Sequence, residues 1–257
     1  MKGILLFDID GVIRDVSGSY RLAIQKTVHH FTSWTPSLEV IDLLKAEGNW
    51  NNDWDTSLEL IKRHLKTQKH FAREIPRRDN LISIFNNYYF GGNPESHPSL
   101  WKGFIKNEPL LIDKDFFEKL SQRGIYWGFV SGAERTSALY VLKNKLNLVS
   151  PKLIAMGDAP EKPNPNGLIM LSREIADKEL GPEAPTISYL GDTVADVRTI
   201  LNARKVIPEQ SFKSYAVAPP HLHKIEAKEL RFVYENKLKD SGADYIISST
   251  RDILNYL

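Results

Sequence analysis

Four short segments of this 257-residue chain carry side chains that could do chemistry together. They are Asp8-Ile9-Asp10-Gly11, Ser131-Gly132, Lys162-Pro163-Asn164-Pro165, and Gly191-Asp192 with Asp196 four residues on. The set suits phosphoryl transfer. A phosphate monoester is a dianion and repels an incoming carboxylate. A hard divalent cation held by a few carboxylates offsets that repulsion, and magnesium suits oxygen ligands of this kind. Asp8 and Asp192 can supply the ligands. Lys162 adds a fixed positive charge, and Ser131 with the backbone around Gly132 can hold phosphate oxygens. Asp10 follows Asp8 by two residues, so both reach one pocket only if the chain turns. Gly11 makes that turn possible. Asp10 is then placed to protonate a leaving oxygen and later to activate water. Taken singly, each segment has a plain structural explanation, such as an acidic turn, a solvated loop lysine or surface carboxylates near a helix N-terminus.

The elements that must bring these segments together are legible as short apolar runs. GILLF precedes Asp8, IYWGFV precedes Ser131, KLIAM precedes Gly157, TISYL precedes Gly191, SYAVA precedes Pro219, and DYIIS lies near the end. Several are apolar without strict alternation, as strands covered on both faces are. Helical spacing is expected over 115–122, 134–146, 168–180 with Gly181 as C-cap, and 194–203. Strands alternating with helices indicate an α/β domain, a Rossmann-like doubly wound parallel sheet. In such sheets ligands bind at the carboxyl ends of the strands, where all four segments fall. From 16 to 98 the alternation stops. Helical spacing marks 20–31, 38–44 and 57–65, and Gly91 to Pro98 reads as an exit linker. The expectation is a core of 1–15 and 99–257 with a helical insert, or cap, at 16–98.

With the strands in place, the segments DIDGV, VSGA, KPNP and GDTVAD, in that order, resemble the four motifs of the haloacid dehalogenase superfamily. The likeness covers nearly the whole chain. The helical insert after the first strand is similar to the cap of subfamily I, which includes phosphoglycolate phosphatases and β-phosphoglucomutases. The resemblance implies a magnesium-dependent phosphatase with Asp8 as nucleophile and metal ligand. It implies Asp10 as acid and base, with its backbone carbonyl on the metal. Ser131 and Gly132 would bind phosphate, Lys162 would stabilise charge, and Asp192 would hold the metal. Asp196 would be a ligand or a partner of one. Dehalogenases proper lack an acid where Asp10 stands. A phosphomutase is the alternative of the same architecture; a non-catalytic or nucleic-acid-binding protein of that fold is a more distant one. Where relatives often read DGTL, this chain reads Gly11-Val12-Ile13-Arg14.

Within the insert, Asn49, Trp50 and Asn52 gather polar and aromatic groups in one loop, which in capped relatives selects substrate. Arg14 and Arg21 are candidate contacts for an anionic substrate. Trp50 packing the insert's own core explains the loop equally well. The stretch 62–78 is basic, with Lys62, Arg63, Lys66, Lys69, Arg73, Arg77 and Arg78, and is read as a solvated helix face.

The composition agrees with a globular protein. Hydrophobic residues at 42% and charged residues at 26% allow a full core, and a net charge of +2 gives no pull toward nucleic acid or anionic membrane. With no cysteine, thiolate metal sites, disulfides and cysteine nucleophiles are excluded. The run Ile4–Phe7 is too short for a signal peptide or membrane span. A small phosphorylated metabolite is the expected partner and the cytoplasm the expected compartment.

Overall fold

The computed structural model describes residues 2–47, 50, 52–67 and 74–257. It divides into two compact units. One comprises Met1–Asp15 and Pro109–Leu257, and the other Val16–Glu108.

The first unit is built on a six-stranded, all-parallel sheet of order β3-β2-β1-β4-β5-β6. The strands are β1 (Gly3–Phe7), β2 (Ile125–Val130), β3 (Leu153–Ile154), β4 (Thr186–Gly191), β5 (Phe212–Val217) and β6 (Tyr245–Ile247). All six apolar runs contribute a strand. Of KLIAM only Leu153 and Ile154 join the sheet, at its edge. β1 is central and buried along its whole length. Its alternate side chains feed two layers. Leu5 and Phe7 pack with Phe116, Phe117, Phe129 and Leu142. Ile4 and Leu6 pack with Leu168, Leu171, Tyr189 and Ile200. This two-sided burial is why the β1 sequence is apolar throughout.

Register decides where the polar segments fall. Phe7 lies opposite Phe129 on β2 and Leu190 on β4. Asp8 is therefore level with Val130 and Gly191, one residue short of Ser131 and Asp192. The strand order reverses between β1 and β4, and such a reversal opens a crevice at the carboxyl ends of the two strands.

The helices here are numbered in chain order. In the α/β unit, α5 (Lys114–Gln122) starts at Asp113, whose side chain accepts the Phe116 N–H at 3.0 Å. The helix expected over 134–146 is α6 (Arg135–Leu139) continued by a π-helical turn, Tyr140–Lys145. Helix α7 (Asn166–Ala176) stops earlier than expected. Asp177 takes the left-handed conformation with φ 53° and ends it, so Gly181 is not the C-cap. Helices α8 (Val194–Val206) and α9 (Lys228–Asp240) complete the unit. The run 221–240 thus contains the crossover helix between β5 and β6.

The second unit holds α1 (Tyr20–Thr32), α2 (Leu38–Ala46), α3 (Asp53–Thr67) and α4 (Arg78–Phe90), with no strand among its described residues. Its core includes Ile24, Val28, Leu60, Ile61, Leu81, Phe85 and Tyr89. Tyr20 stacks on Tyr89 with centroids 4.4 Å apart. The segment 91–98 is not an exit linker, because the chain stays in this unit to Glu108. Trp101 is fully buried, meets the Phe90 ring edge-on at 4.8 Å and donates its indole N–H to the Asn93 carbonyl at 3.1 Å. Glu108 is buried too, and accepts bonds from Ser19 Oγ at 2.5 Å and Tyr89 Oη at 3.0 Å.

Replacing a buried aromatic by alanine costs about 3–5 kcal/mol. Trp101→Ala should lose stability of that size in urea unfolding followed by circular dichroism. A loss under about 0.5 kcal/mol, the range of surface changes, would show that Trp101 is not part of this unit's core.

Candidate active site

Each polar segment sits where its element places it. Asp8 continues the β1 ladder, its N–H bonded to the Leu190 carbonyl at 2.9 Å. Its Oδ1 accepts the Ile9 N–H at 2.8 Å. Its Oδ2 lies 3.0 Å from Lys162 Nζ. The same ammonium lies 2.5 Å from Asp196 Oδ1 and 3.2 Å from Tyr189 Oη. The 162–165 loop, distant in sequence, thus delivers its lysine between two carboxylates.

Asp196 is 1% exposed, and four polar groups surround its carboxylate. Oδ1 takes Lys162 and the Tyr189 hydroxyl at 3.0 Å. Oδ2 takes the Thr193 N–H at 2.9 Å and Thr193 Oγ1 at 2.6 Å. Thr193 and Asp196 form a capping box that starts α8. Asp196 Oδ1 also serves Lys162, so the helix start and the position of the ammonium are one construction. Tyr189 Oη also lies 2.7 Å from the Val130 carbonyl, and its single proton serves one of these two acceptors at a time.

Asp192 is buried on the far side of the crevice, and its carbonyl accepts the Tyr234 hydroxyl of α9 at 3.0 Å. Gly11 is at φ 76°, and a Cβ there would lie 2.0 Å from Asp192 Oδ2. The glycine therefore provides both the turn and the room for Asp192. Asp8, Asp192 and Asp196 each offer an oxygen within 4.8 Å of the others. Because Lys162 and Thr193 already engage both oxygens of Asp196, Asp8 and Asp192 are the carboxylates left to hold a metal.

The electrostatics follow from burial. Burial raises Asp8, Lys162 pulls it back, and Asp196 and Asp10 push it up again, to about 6. Burial, then Asp196 and Asp8, push Asp192 well above the usual carboxylate range. Asp196 is likewise raised by burial, but Lys162 and the Thr193 bonds prevail and hold it below its usual value. Burial disfavours the Lys162 ammonium, but Asp196 and Asp8 outweigh it and keep the lysine charged. Four carboxylates, counting Asp10, thus face Lys162 and Arg14. A divalent cation held by Asp8 and Asp192 would favour their ionised forms against the burial and neighbouring carboxylates that raise them, so the donor set fits magnesium.

Ser131 is buried with its N–H on the Ile154 carbonyl at 2.9 Å and its Oγ accepting the Ala133 N–H at 3.2 Å. Gly132 is exposed, with open space where a side chain would stand. Arg14 departs from the expectation of a substrate contact. It is fully buried, its Nε donates to Asp10 Oδ1 at 2.6 Å, and its Nη2 donates to Ser137 Oγ at 3.3 Å. A side chain with no exposed surface does not meet a substrate.

The insert residues have partners within the helical unit. Arg21 pairs with Asp42 at 2.6 Å. Trp50 donates its indole N–H to Glu47 at 3.0 Å. Asn52 Oδ1 accepts the Trp54 N–H at 2.9 Å at the start of α3. Asn49, Lys69 and Arg73 lie outside the described residues. The basic stretch is not one helix face. Lys62, Arg63 and Lys66 lie on α3, while Arg77 and Arg78 begin α4. Arg63 pairs with Glu47 and Glu59, and Arg78 with Asp55.

Sequence reasoning passed over Tyr189, Ser137 and Tyr234. Thr193 was findable, because Thr-x-x-Asp after an apolar run is a helix-start signature. The other three act through tertiary contacts that leave no local pattern.

Comparison with solved structures places this architecture. A phosphonoacetaldehyde hydrolase-like protein from Oleispira antarctica matches with TM-score 0.66 and 16% identity, covering 99% of this chain and 90% of that one. Phosphatase Tt82 from Thermococcus thioreducens matches with TM-score 0.60 and 19% identity, over 92% and 99%. A hydrolase named to haloacid dehalogenase family IA, variant 3, from Entamoeba histolytica matches with TM-score 0.60 and 12% identity, over 98% and 95%. The chain has the haloacid dehalogenase fold. The fold agrees with the order of the four polar segments and with the helical insert after β1. No protein-family model matches the chain. Among curated proteins, an imidazoleglycerol-phosphate dehydratase from Phytophthora nicotianae is 33% identical over 198 residues, 75% of this chain. The chain spans 40% of the length of that relative. No helix among the described residues is long and apolar enough to cross a membrane.

Loss of a helix-capping hydroxyl costs about 1 kcal/mol. Thr193→Ala should lower stability by about that amount in denaturant titration. An unchanged midpoint would show that the capping box contributes nothing to α8.

Proposed function

We propose that this chain is a magnesium-dependent phosphatase acting on a small phosphorylated metabolite through an aspartyl-phosphate. The observation that supports it most is Lys162, held between Asp8 and Asp196 at 3.0 and 2.5 Å. A buried ammonium beside a carboxylate lowers the cost of bringing a phosphate dianion to that carboxylate. Asp8 and Asp192, with the Asp10 carbonyl that the family resemblance adds, would hold magnesium, which supplies positive charge against the phosphate oxygens.

The residues divide the work in two steps. In the first, an Asp8 oxygen bonds to phosphorus as the ester P–O bond breaks. Asp10 gives a proton to the departing oxygen, and Ser131 with the Gly132 backbone and Lys162 holds the other phosphate oxygens. In the second, Asp10 takes a proton from water, the water oxygen bonds to phosphorus, and the Asp8–phosphorus bond breaks. Phosphate leaves and Asp8 is restored. Selection among esters falls to the helical unit, with Arg21, Asn49, Trp50 and Asn52 as the candidate residues.

The name of the curated relative refers to imidazoleglycerol phosphate. Imidazole-bearing phosphate esters therefore belong in a substrate panel beside sugar, polyol and small organic-acid phosphates. With magnesium present, the wild type should release phosphate from at least one of them, and Asp8→Asn should fall to the background rate. Equal release by both would refute Asp8 as nucleophile. Return of the phosphoryl group to a sugar phosphate without release would mark a mutase.

Binding of the metal has its own readout. Magnesium at about a hundred times its Kd stabilises a folded protein by about 2.7 kcal/mol. Thermal unfolding of the wild type should show a gain of that size, and Asp192→Asn far less. The same gain in both would remove Asp192 from the metal site.

A further inference from the structure

Among the described residues, Arg14 is a buried cation near the crevice that the proposed mechanism does not use. It is fully buried, while the Asp10 side chain it binds keeps 26% of its surface exposed. The backbone fixes it closely. Gly11 N–H donates to the Arg14 carbonyl at 2.9 Å, and the Arg14 N–H donates to the Ile9 carbonyl at 3.1 Å. Arg14 also bridges to Leu110 of the returning chain. The loop thus closes on itself, and Arg14 comes to rest beside Asp10. At the far end of the guanidinium, Ser137 Oγ donates to the Glu134 carbonyl at 3.2 Å, which turns its lone pairs toward Arg14 Nη2. Arg14 therefore ties the loop after β1 to helix α6, the helix that follows Ser131 and Gly132.

The two oxygens of Asp10 are unlike. Oδ1 accepts the 2.6 Å bond from Arg14 Nε. No described residue bonds Oδ2.

We propose that Arg14 is a positioning residue, whose guanidinium clamps Oδ1 of Asp10 so that Oδ2 faces the reacting oxygens and carries the proton in both steps. This rests on the phosphatase function proposed above. In the first step the proton on Oδ2 passes to the ester oxygen as its bond to phosphorus breaks. In the second, a water proton passes to Oδ2 as the water oxygen bonds to phosphorus. A carboxylate anchored by one oxygen loses little entropy in meeting the reacting atoms with the other, and a misplacement of about 1 Å costs on the order of a hundredfold in rate.

The test uses leaving groups of different need. An alkyl phosphate requires a proton on its departing oxygen; p-nitrophenyl phosphate does not. Arg14→Met should lower kcat on the best alkyl phosphate of the panel by roughly a hundredfold. On p-nitrophenyl phosphate the first turnover should stay within a fewfold of wild type, as a burst of p-nitrophenol followed by slow hydrolysis of the acyl phosphate. In an Asp10→Asn background, Arg14→Met should cost nothing more. Ser137→Ala, which keeps the buried charge and its salt bridge, should show a smaller loss with the same leaving-group bias and serves if Arg14→Met does not fold. Equal losses on both substrates in the first turnover, or losses that add fully to those of Asp10→Asn, would reduce Arg14 to a structural role. A crystal structure of Arg14→Met, or of Ser137→Ala, is independent of turnover. An Asp10 carboxylate unmoved in the first, or one displaced from Arg14 with the leaving-group bias unchanged in the second, would overturn the clamp. Absence of metal-dependent phosphate release by the wild type itself would instead refute the phosphatase function.

Discussion

The site depends on one interaction, the largely buried contact of the Lys162 ammonium with Asp8 and Asp196. Bringing three charges out of water is costly, and the arrangement persists because each is paired. Lys162 comes from a loop, Asp8 from the end of β1, and Asp196 from the first turn of α8. The ammonium is therefore where separate parts of the α/β unit are obliged to agree. Asp196 is committed to it through a capping box and the Tyr189 hydroxyl. Asp8 is left with a raised pKa and an incomplete set of partners. The same contact thus saturates one carboxylate with partners and leaves the other with fewer.

The sheet does the positioning. Parallel strands in register place Asp8, Ser131 and Asp192 at one rim within a residue of each other. The reversal of strand order between β1 and β4 opens the space between two of them. Gly11 then permits a turn tight enough for Asp10 to come back to the same rim, with Asp192 occupying the room a side chain would have filled. Backbone geometry brings the groups together, and side-chain bonds only orient them.

Much of this was legible in the chain. β1 and β4 are apolar runs ended abruptly by Asp8 and by Gly191-Asp192, so strand, strand end and polar group could be read at once. The helical nature of the insert was equally plain. Its far boundary was not, because Gly91 to Pro98 has the composition of a linker while Trp101, three residues on, is buried in the same unit. The end of α7 was misplaced for a related reason. Gly181 is the more obvious stop, but Asp177 tolerates the left-handed conformation and takes it first. Arg14 looked like a substrate contact because nothing local reveals that it is buried and bonded to Ser137 on another element. Local rules reach as far as the element. Partners such as Tyr189 and Ser137 come only with the packing.

The two points where the helical unit joins the α/β unit have a consequence of their own. Asp15 N–H bonds to the Pro109 carbonyl at 2.9 Å, so the residues flanking the insert stand one hydrogen bond apart. A chain interrupted there can be rejoined by a short turn without stretching either side. Because closing a loop costs only logarithmically more as it lengthens, the sheet scarcely registers how many residues lie between the two joints. The insert is thus free to lengthen, shorten or be exchanged wholesale over evolutionary time, while the carboxylates at the rim keep their places.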